Sequence, residues 1–350
     1  MNYSHTPVML KEVIAYLNPC PGQYFIDCTL GGGGYTQAIS EKVGKDGKVL
    51  AIDLDILAIN NAKNKTCSWL GPGIKTNNVI LAHENFKNLS KIVKGFYAEK
   101  KIQNNKFNGI VFDLGLSSAQ LEDRTRGFSF QQAGPLDMSF GQEGNKGSET
   151  GYIVNNWSEK ELERILREYG EERFARLIAR AIISKRKIKQ IKTTDELVKI
   201  IEEVVPKKYH FNKIHPATRT FQALRIATND ELNNLESALR QALNLLKVGG
   251  KIIVISYHSL EDRIVKCFFK KESKDCLCPP QAIICQCGHK ASLKILTKKI
   301  IIASEKEIKN NPRARSAKMR VAKKIKIKLV PDQDQETNQN YDTNKKRNHN

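Results

Sequence analysis

The sequence predicts an α/β protein with a mostly parallel sheet and helices on both faces, and three observations carry that prediction. The stretch 24–55 runs from an apolar segment ending in Asp27, through four glycines at 31–34, to a second apolar segment ending in Asp53. That is the strand, turn, helix, strand order of a nucleotide-binding βαβ half. Apolar runs at 79–82 and 110–112 then alternate with helical patterns, the rhythm of a parallel sheet with crossovers on its faces. Far downstream the rhythm returns as a helical pattern reaching Leu246, a stop at Gly249 and Gly250, and the strand KIIVIS.

Taken in order, Thr6 caps a first helix with Pro7 at its first position, and Leu10, Val13, Ile14 and Leu17 recur at helical spacing. Strands follow at 24–28 and 49–52, then at 79–82 leading into HENF, and at 110–112 ending at Asp113. The next stretch, from DLGLSS to GSET, is rich in Gly, Ser and Gln with scattered aromatics. It is too polar for a core and too long for an ordinary connection, so it reads as a functional loop. A helical block comes next. Ser158 and Glu161 form a capping box ahead of Leu162, Ile165, Leu166 and Tyr169, while Phe174, Leu177, Ile178, Ala181 and Ile182 share one face. Thr193 and Glu196 open a further helix that Pro206 ends.

Between Asp113 and KIIVIS lies far more chain than one crossover helix needs. An all-helical domain over 141–215 is therefore read as inserted between two parts of the sheet domain, 1–140 and 216–330. LKILTKKIIIA and AKMRVAKKIKI read as strands that pair as an antiparallel hairpin at the sheet edge. The tail 331–350 has almost nothing to bury and reads as disordered.

Composition narrows the function classes. With 350 residues and 40% hydrophobic side chains, the chain supports one large domain or two smaller ones, each with a core. No apolar run has the length of a membrane span, and MNYSHTPVML lacks the plan of a signal peptide, so the sequence reads as cytoplasmic. Eight cysteines in such a chain argue against a disulfide framework. A formal charge of +21 suits a polyanionic partner, nucleic acid first. Lysine enrichment also serves solubility, so arginine, with its planar fork for phosphate, is the better indicator.

In open α/β sheets ligands lie beyond the carboxyl ends of the strands, which brings Asp27, the glycine turn, Asp53, Phe86 and Asp113 to one crevice. Asp53 suits ribose hydroxyls, Asp27 suits an ammonium group, and the rings of Tyr35 and Phe86 suit adenine or a sulfonium. Plainer roles are available: Asp53 as a helix cap, Phe86 as core. The pattern admits NAD as well as S-adenosylmethionine.

HTPVML, DCTLGGGGY, AIDLD, FDLGLSSAQLED, RGFSF, GPLDM, YGEERFA, HPATRTFQALRI, GGKIIVISYHSLEDRIVK and NPRARS follow one another in collinear order over residues 5–322. Together they resemble the bacterial small-subunit ribosomal RNA cytosine-N4 methyltransferases. The resemblance implies a class I (Rossmann-like) methyltransferase fold, with an inserted helical domain for RNA recognition and methyl transfer from S-adenosyl-L-methionine to the exocyclic amine of a cytidine. By matching positions it implies cofactor contacts at Gly33, Gly34, Tyr35, Asp53, Phe86, Asp113 and Gln120. The chain departs from the family's pattern at Tyr35, where histidine is common, and in an expanded cysteine segment.

In-line methyl transfer requires alignment, an available nitrogen lone pair and an acceptor for the departing proton. Asp113, with the adjoining loop 114–118, is the best-placed candidate; if Asp113 holds the cofactor instead, loop carbonyls must serve. His258 is a second candidate acceptor and Arg263 a phosphate contact, although Ser259 and Asp262 there also fit a simple helix cap. Methylation at a ring carbon would need a cysteine nucleophile beside this loop, and Cys20 is at the wrong end of the strand. Arg124, Arg126, Phe128, Phe130, Arg219, Arg225, Arg313 and Arg315 offer forks and rings for RNA, with Phe221 read as core. CLCPPQAIICQCGH gathers Cys276, Cys278, Cys285, Cys287 and His289, which fits either zinc or no metal, the one-residue spacing within each pair being tight. Two rival functions stand beside methyl transfer. An NAD-dependent dehydrogenase explains the glycine turn but not the insertion or the arginines, and a noncatalytic ribosomal RNA-binding or assembly factor on the same fold explains all but the chemistry.

Overall fold

The computed structural model describes residues 7–63, 78–100, 106–130, 133–141, 149–210 and 215–326. Thr6 and the tail 331–350 lie outside them. The first half of the chain alternates as the sequence predicts: α1 (Leu10–Leu17), β1 (Tyr24–Asp27), α2 (Gly34–Val43), β2 (Lys48–Asp53), α3 (Ile56–Lys63), β3 (Val79–His83), α4 (Leu89–Lys100) and β4 (Phe107–Asp113). A short α5 (Ser118–Glu122) leads into a run of helices, α6 (Glu149–Asn156), α7 (Glu159–Glu168), α8 (Ala175–Arg186), α9 (Thr194–Val204), α10 (Ala217–Asn229) and α11 (Glu231–Leu245). The chain then re-enters the sheet as β5 (Leu246–Ser256), followed by α12 (Ser259–Glu272), β6 (Leu293–Ile295), β7 (Ile301–Ile302), α13 (Glu305–Asn310) and β8 (Lys318–Lys324).

The strand order is β3-β2-β1-β4-β5-β8-β6, with β7 also paired to β8. Strands β1 to β5 are parallel, and β8 is antiparallel to β5. The two terminal apolar stretches do pair, but as short β6 and β7 against β8, which is itself hydrogen-bonded to β5. Strand side chains alternate between two cores. Ile26, Leu50, Ile110, Phe112, Ile252 and Val254 face Val93, Leu239 and Phe269 of α4, α11 and α12. Their neighbours Phe25, Val49, Val111, Ile253 and Ile255 face Val13, Leu17 and Ile39 of α1 and α2. Apolar side chains on both faces explain why these strands read as continuous hydrophobic runs rather than alternating ones.

A further hydrophobic cluster reaches from Phe128, Leu136 and Met138 through α6 to α9 and on to Phe221 and Leu224 of α10. The capping boxes at Ser158/Glu161 and Thr193/Glu196 are present. Three local expectations change. α1 starts at Leu10, because Met9 adopts φ 51° with its N–H on Glu307 Oε1 at 2.6 Å. The Val8 carbonyl is likewise taken, by the Tyr35 hydroxyl. Leu177 is 48% exposed, and the buried face of α8 is Ala175, Ile178, Ala179 and Ile182. Gly249 and Gly250 do not stop α11. They sit inside β5, in a bulge between the pairs Phe107–Leu246 and Gly109–Lys251, with Gly249 at φ 88°. No helix of the described residues is long and apolar enough to cross a membrane.

Candidate active site

Because β1 sits between β2 and β4 while the chain visits β2 and β3 first, the topological switch point lies between β1 and β4, and the cleft opens there. Local bonds fix its floor. The Asp113 N–H donates to Thr29 Oγ1 at 2.8 Å, the Cys28 N–H to the Val111 carbonyl at 2.9 Å, and the Leu30 N–H to the Ile52 carbonyl at 2.8 Å. The ends of β1, β2 and β4 are thereby tied to one another. Glycine is needed in the turn above them: Gly31 and Gly33 have φ of 47° and 77°. At Gly34 an added Cβ would lie 2.5 Å from Pro7 Cγ.

Gly33, Gly34, Tyr35, Asp53, Phe86, Asp113 and Gln120 all line this cleft, whose volume is about 1150 Å³ with its open mouth included. Asp53 accepts the Gly31 N–H through Oδ2 and the Asp55 N–H through Oδ1, each at 2.8 Å. Its carboxylate is thus oriented with acceptor capacity to spare. It also opens the turn into α3, so the cap-like role is present alongside the cleft position. Burial pushes Asp53 up to about 6. Phe86 meets Phe112 edge-on at 5.8 Å and still lines the cleft.

Asp113 carries three bonds on the floor. It accepts from the Tyr35 hydroxyl at 3.2 Å, from the Gly115 N–H at 3.2 Å and from the Tyr257 hydroxyl, yet burial still pushes it up to about 6. The one Tyr35 proton is shared with the Val8 carbonyl. Gly115 allows Tyr257 to approach, since a Cβ there would lie 2.7 Å from its ring. Asp27 departs from expectation. It is fully buried, accepts from Thr36 Oγ1 at 2.7 Å and the Thr29 N–H at 3.2 Å, and does not line the cleft.

The sequence assigns no cleft role to several further residues here. Buried Asp55 accepts from Gln120 Nε2 at 3.3 Å and is ion-paired with Arg126. Arg126 in turn donates to the carbonyls of Ser139 and Phe140 at 3.1 and 2.9 Å and lies over the Phe128 ring, 5.3 Å from its centroid. One buried guanidinium therefore folds the long loop after β4 against the strand ends. Arg225 grips Glu231 with two bonds of 2.8 and 2.9 Å, and Glu231, Asn229 and Asn234 line the far wall. Arg126 and Arg225 are thus internal, not the RNA contacts the sequence suggested. The strand-end rule would have found Tyr257, the first residue beyond β5. Asp55 lies in AIDLD and Arg126 in RGFSF, but nothing in the sequence pairs them across 71 residues.

His258 caps α12, with Nδ1 accepting the Glu261 N–H at 3.4 Å. Its Nε2 is buried 3.1 Å from Glu261 Oε1, off the direction of a hydrogen bond. The ring therefore stands behind Glu261, and it is Glu261 that lines the cleft, accepting the Tyr257 N–H at 2.8 Å. The expected cap by Ser259 and Asp262 is displaced by one residue. Ser259 donates to Glu171 at 2.6 Å, and Asp262 is paired with Arg320. Arg263 is ion-paired with the same Glu171 at 2.9 Å. Arg124, Arg219, Arg313 and Arg315 are exposed, and Arg313 lies 3.5 Å from Glu122, which joins the turn Pro312–Ser316 to the loop after β4. Phe128 is buried and stacked on Phe140, while Phe130 packs on His215 and Phe221.

The sequence profile of the MraW methylase family matches residues 2–325. A ribosomal RNA small subunit methyltransferase H from Dehalococcoides mccartyi is 47% identical over 325 residues, covering 93% of this chain and 88% of its own. The enzyme of the same name from Halothermothrix orenii is 45% identical over 321 residues, 92% and 98% of the two chains. That from Brevibacillus brevis is 42% identical over 325 residues, 93% and 99%. The match takes in the glycine turn, the cleft floor and the helical run alike, and the chain belongs to the MraW methylase family.

Proposed function

We propose that this protein transfers a methyl group from S-adenosylmethionine to the exocyclic N4 amine of a cytidine in small-subunit ribosomal RNA. The observation that carries the reading is the juxtaposition, in one cleft at the switch point, of a glycine turn with a fixed carboxylate at Asp53 and a floor of acceptors at Asp113 and Glu261. Family membership and the shared name of the relatives support it. The glycine turn fits the donor, since Gly34 is packed on Pro7 and leaves bare backbone at the start of α2. In this reading Gly33, Gly34, Tyr35, Asp53, Phe86 and Gln120 hold S-adenosylmethionine. When bound, it supplies an electrophilic methyl on a sulfonium.

The chain's own residues do the rest. Asp53 keeps acceptor sites for ribose hydroxyls because Gly31 and Asp55 fix its plane without exhausting it. A cytosine amine is a poor nucleophile because its lone pair is shared with the ring. An acceptor on its N–H localises that pair on nitrogen and takes up the developing positive charge. Asp113 has about four acceptor sites as a carboxylate, and Tyr35, Gly115 and Tyr257 occupy three of them. The remaining one serves the amine, with the loop after Asp113 adding carbonyls. His258 acts through the cap of α12, its Nδ1 accepting the Glu261 N–H and so fixing Glu261 on the cleft wall. The cytidine enters unstacked, because a paired amine is enclosed in the duplex. The exposed Arg124, Arg219, Arg313 and Arg315 receive the RNA backbone, with the helical unit expected over 141–215 as the surface that selects it.

The test is calorimetric and chemical. S-adenosylmethionine binds and NAD does not, and labelled methyl appears in small-subunit RNA. Binding without methyl incorporation under any form of the RNA or subunit leaves the noncatalytic factor, and NAD binding would restore the dehydrogenase.

A further inference from the structure

Between α12 and β6 the chain makes an excursion that the proposed reaction does not use. Residues 274–290 contribute nothing to a hydrophobic core. All are exposed except Cys278 and His289, and Ile283 and Ile284 are 99% and 74% exposed. Its neck is closed by the Ser292 N–H on the Glu272 carbonyl at 2.8 Å, Ser292 Oγ on Glu272 Oε2 at 2.7 Å and the Ala291 N–H on Asp275 Oδ1 at 3.2 Å. Beyond that neck, side-chain burial gives the loop no reason to hold one shape. Four sulfurs nevertheless meet at its centre.

Sγ of Cys276 lies 3.4 Å from that of Cys285 and 3.7 Å from that of Cys287, and the sulfurs of Cys285 and Cys287 are 3.6 Å apart. All four sulfurs, Cys278 included, lie within 4.8 Å of one another. A tetrahedron with zinc–sulfur bonds of about 2.3 Å has edges of about 3.8 Å. The cluster therefore has the size of a tetrathiolate cage. It does not have the size of a disulfide pair, whose sulfurs are about 2.05 Å apart. Three backbone N–H groups already point at the sulfurs: Leu277 at Cys287, Cys278 at Cys276 and Gln286 at Cys278, at 3.2, 3.4 and 3.4 Å. Such donors stabilise thiolate charge around a metal. His289 is outside the set, its Nε2 facing the Lys271 carbonyl at 3.1 Å.

We infer that Cys276, Cys278, Cys285 and Cys287 form a structural zinc site that closes the loop between α12 and β6. The one-residue spacing in each pair is accommodated because the N–H of Cys278 turns back onto Cys276. On binding, each thiol gives its proton to solvent and four sulfur–zinc bonds form, with no change of oxidation state. Four protein ligands leave no open position, so the ion is closed to substrate and serves the loop alone.

Elemental analysis of the full chain, purified without an affinity tag from zinc-supplemented culture, tests the assignment. The expected result is about one zinc per chain, released on titration with an organomercurial as the four thiols react. The double variant C278S/C285S falls to background zinc. Hydrogen exchange at the amides of Leu277, Cys278 and Gln286 rises on chelation of the wild type while the sheet amides stay protected. Wild-type protein with four reactive thiols and no zinc overturns the inference. So do two disulfides, a coloured iron tetrathiolate in place of zinc, or undiminished zinc in the double variant. The measurements on wild-type protein stand even where the double variant does not fold.

Discussion

Arg124 and Arg126 stand two residues apart and belong to different regions of the molecule. Arg126 is 8% exposed and bound to Asp55, Ser139 and Phe140 behind the cleft, whereas Arg124 lies on the surface by the loop after β4. Arg225 and Arg219 on α10 repeat the contrast, the first locked on Glu231 and the second exposed with one bond to the Glu171 carbonyl. A buried guanidinium organises the cleft wall, because leaving its acid unpaired is costly. An exposed one retains the freedom to meet phosphate, since surface pairs hold it weakly.

The two regions separate most sharply when a buried arginine is removed. Arg126→Ala leaves Asp55 buried and uncompensated, and urea unfolding is expected to show a loss of about 3–5 kcal/mol with a matching loss of methyl transfer. An unchanged unfolding midpoint would mean the pair holds nothing together. The rim variant R124A/R315A is expected to move stability by less than about 0.5 kcal/mol. It should weaken RNA binding instead and lower the slope of log affinity against log salt by about 1 per lost phosphate contact. A rim variant that melts early but binds RNA normally would reverse the assignment.

The smallest effect concerns pH. Burial pushes Asp27 up to about 7, and Asp53 and Asp113 up to about 6, from an ordinary value of 3.8. Between about pH 4 and 7 the folded chain therefore binds more protons than the unfolded one, and stability contributed by these acids falls as pH rises through that window. Asp27→Asn keeps an acceptor for Thr29 and a partner for Thr36. It is expected to reduce the fall in stability between pH 5 and 8, read from urea midpoints, without touching the cleft lining. An identical pH slope in the variant would show that Asp27 titrates normally.

How much of this was legible follows the same division. The strand ends were readable because a parallel sheet buries its strands on both faces and delivers Asp53 and Asp113 to one edge, so apolar runs followed by acids suffice. The capping boxes of α7 and α9 were readable because their chemistry spans three residues. The Asp55–Arg126 and Arg225–Glu231 pairs were not, since a sequence shows a charge but not its burial. Gly249 misled for a related reason: a positive φ ends helices and also makes bulges, and only the register with β4 distinguishes them. The paired cysteines were visible at once, but the convergence of their sulfurs needed coordinates.

In the proposed reaction Asp113 faces the amine of a cytidine at the floor of this cleft. It is tested most directly by nucleoside mass spectrometry of small-subunit RNA from cells lacking the protein, after incubation with S-adenosylmethionine and either wild-type or D113N protein. The expected result is N4-methylcytidine with the wild type and a rate at least about 100-fold lower with the variant. Full-rate methylation by the variant, or wild-type product carrying its methyl anywhere but the cytidine amine, would contradict it.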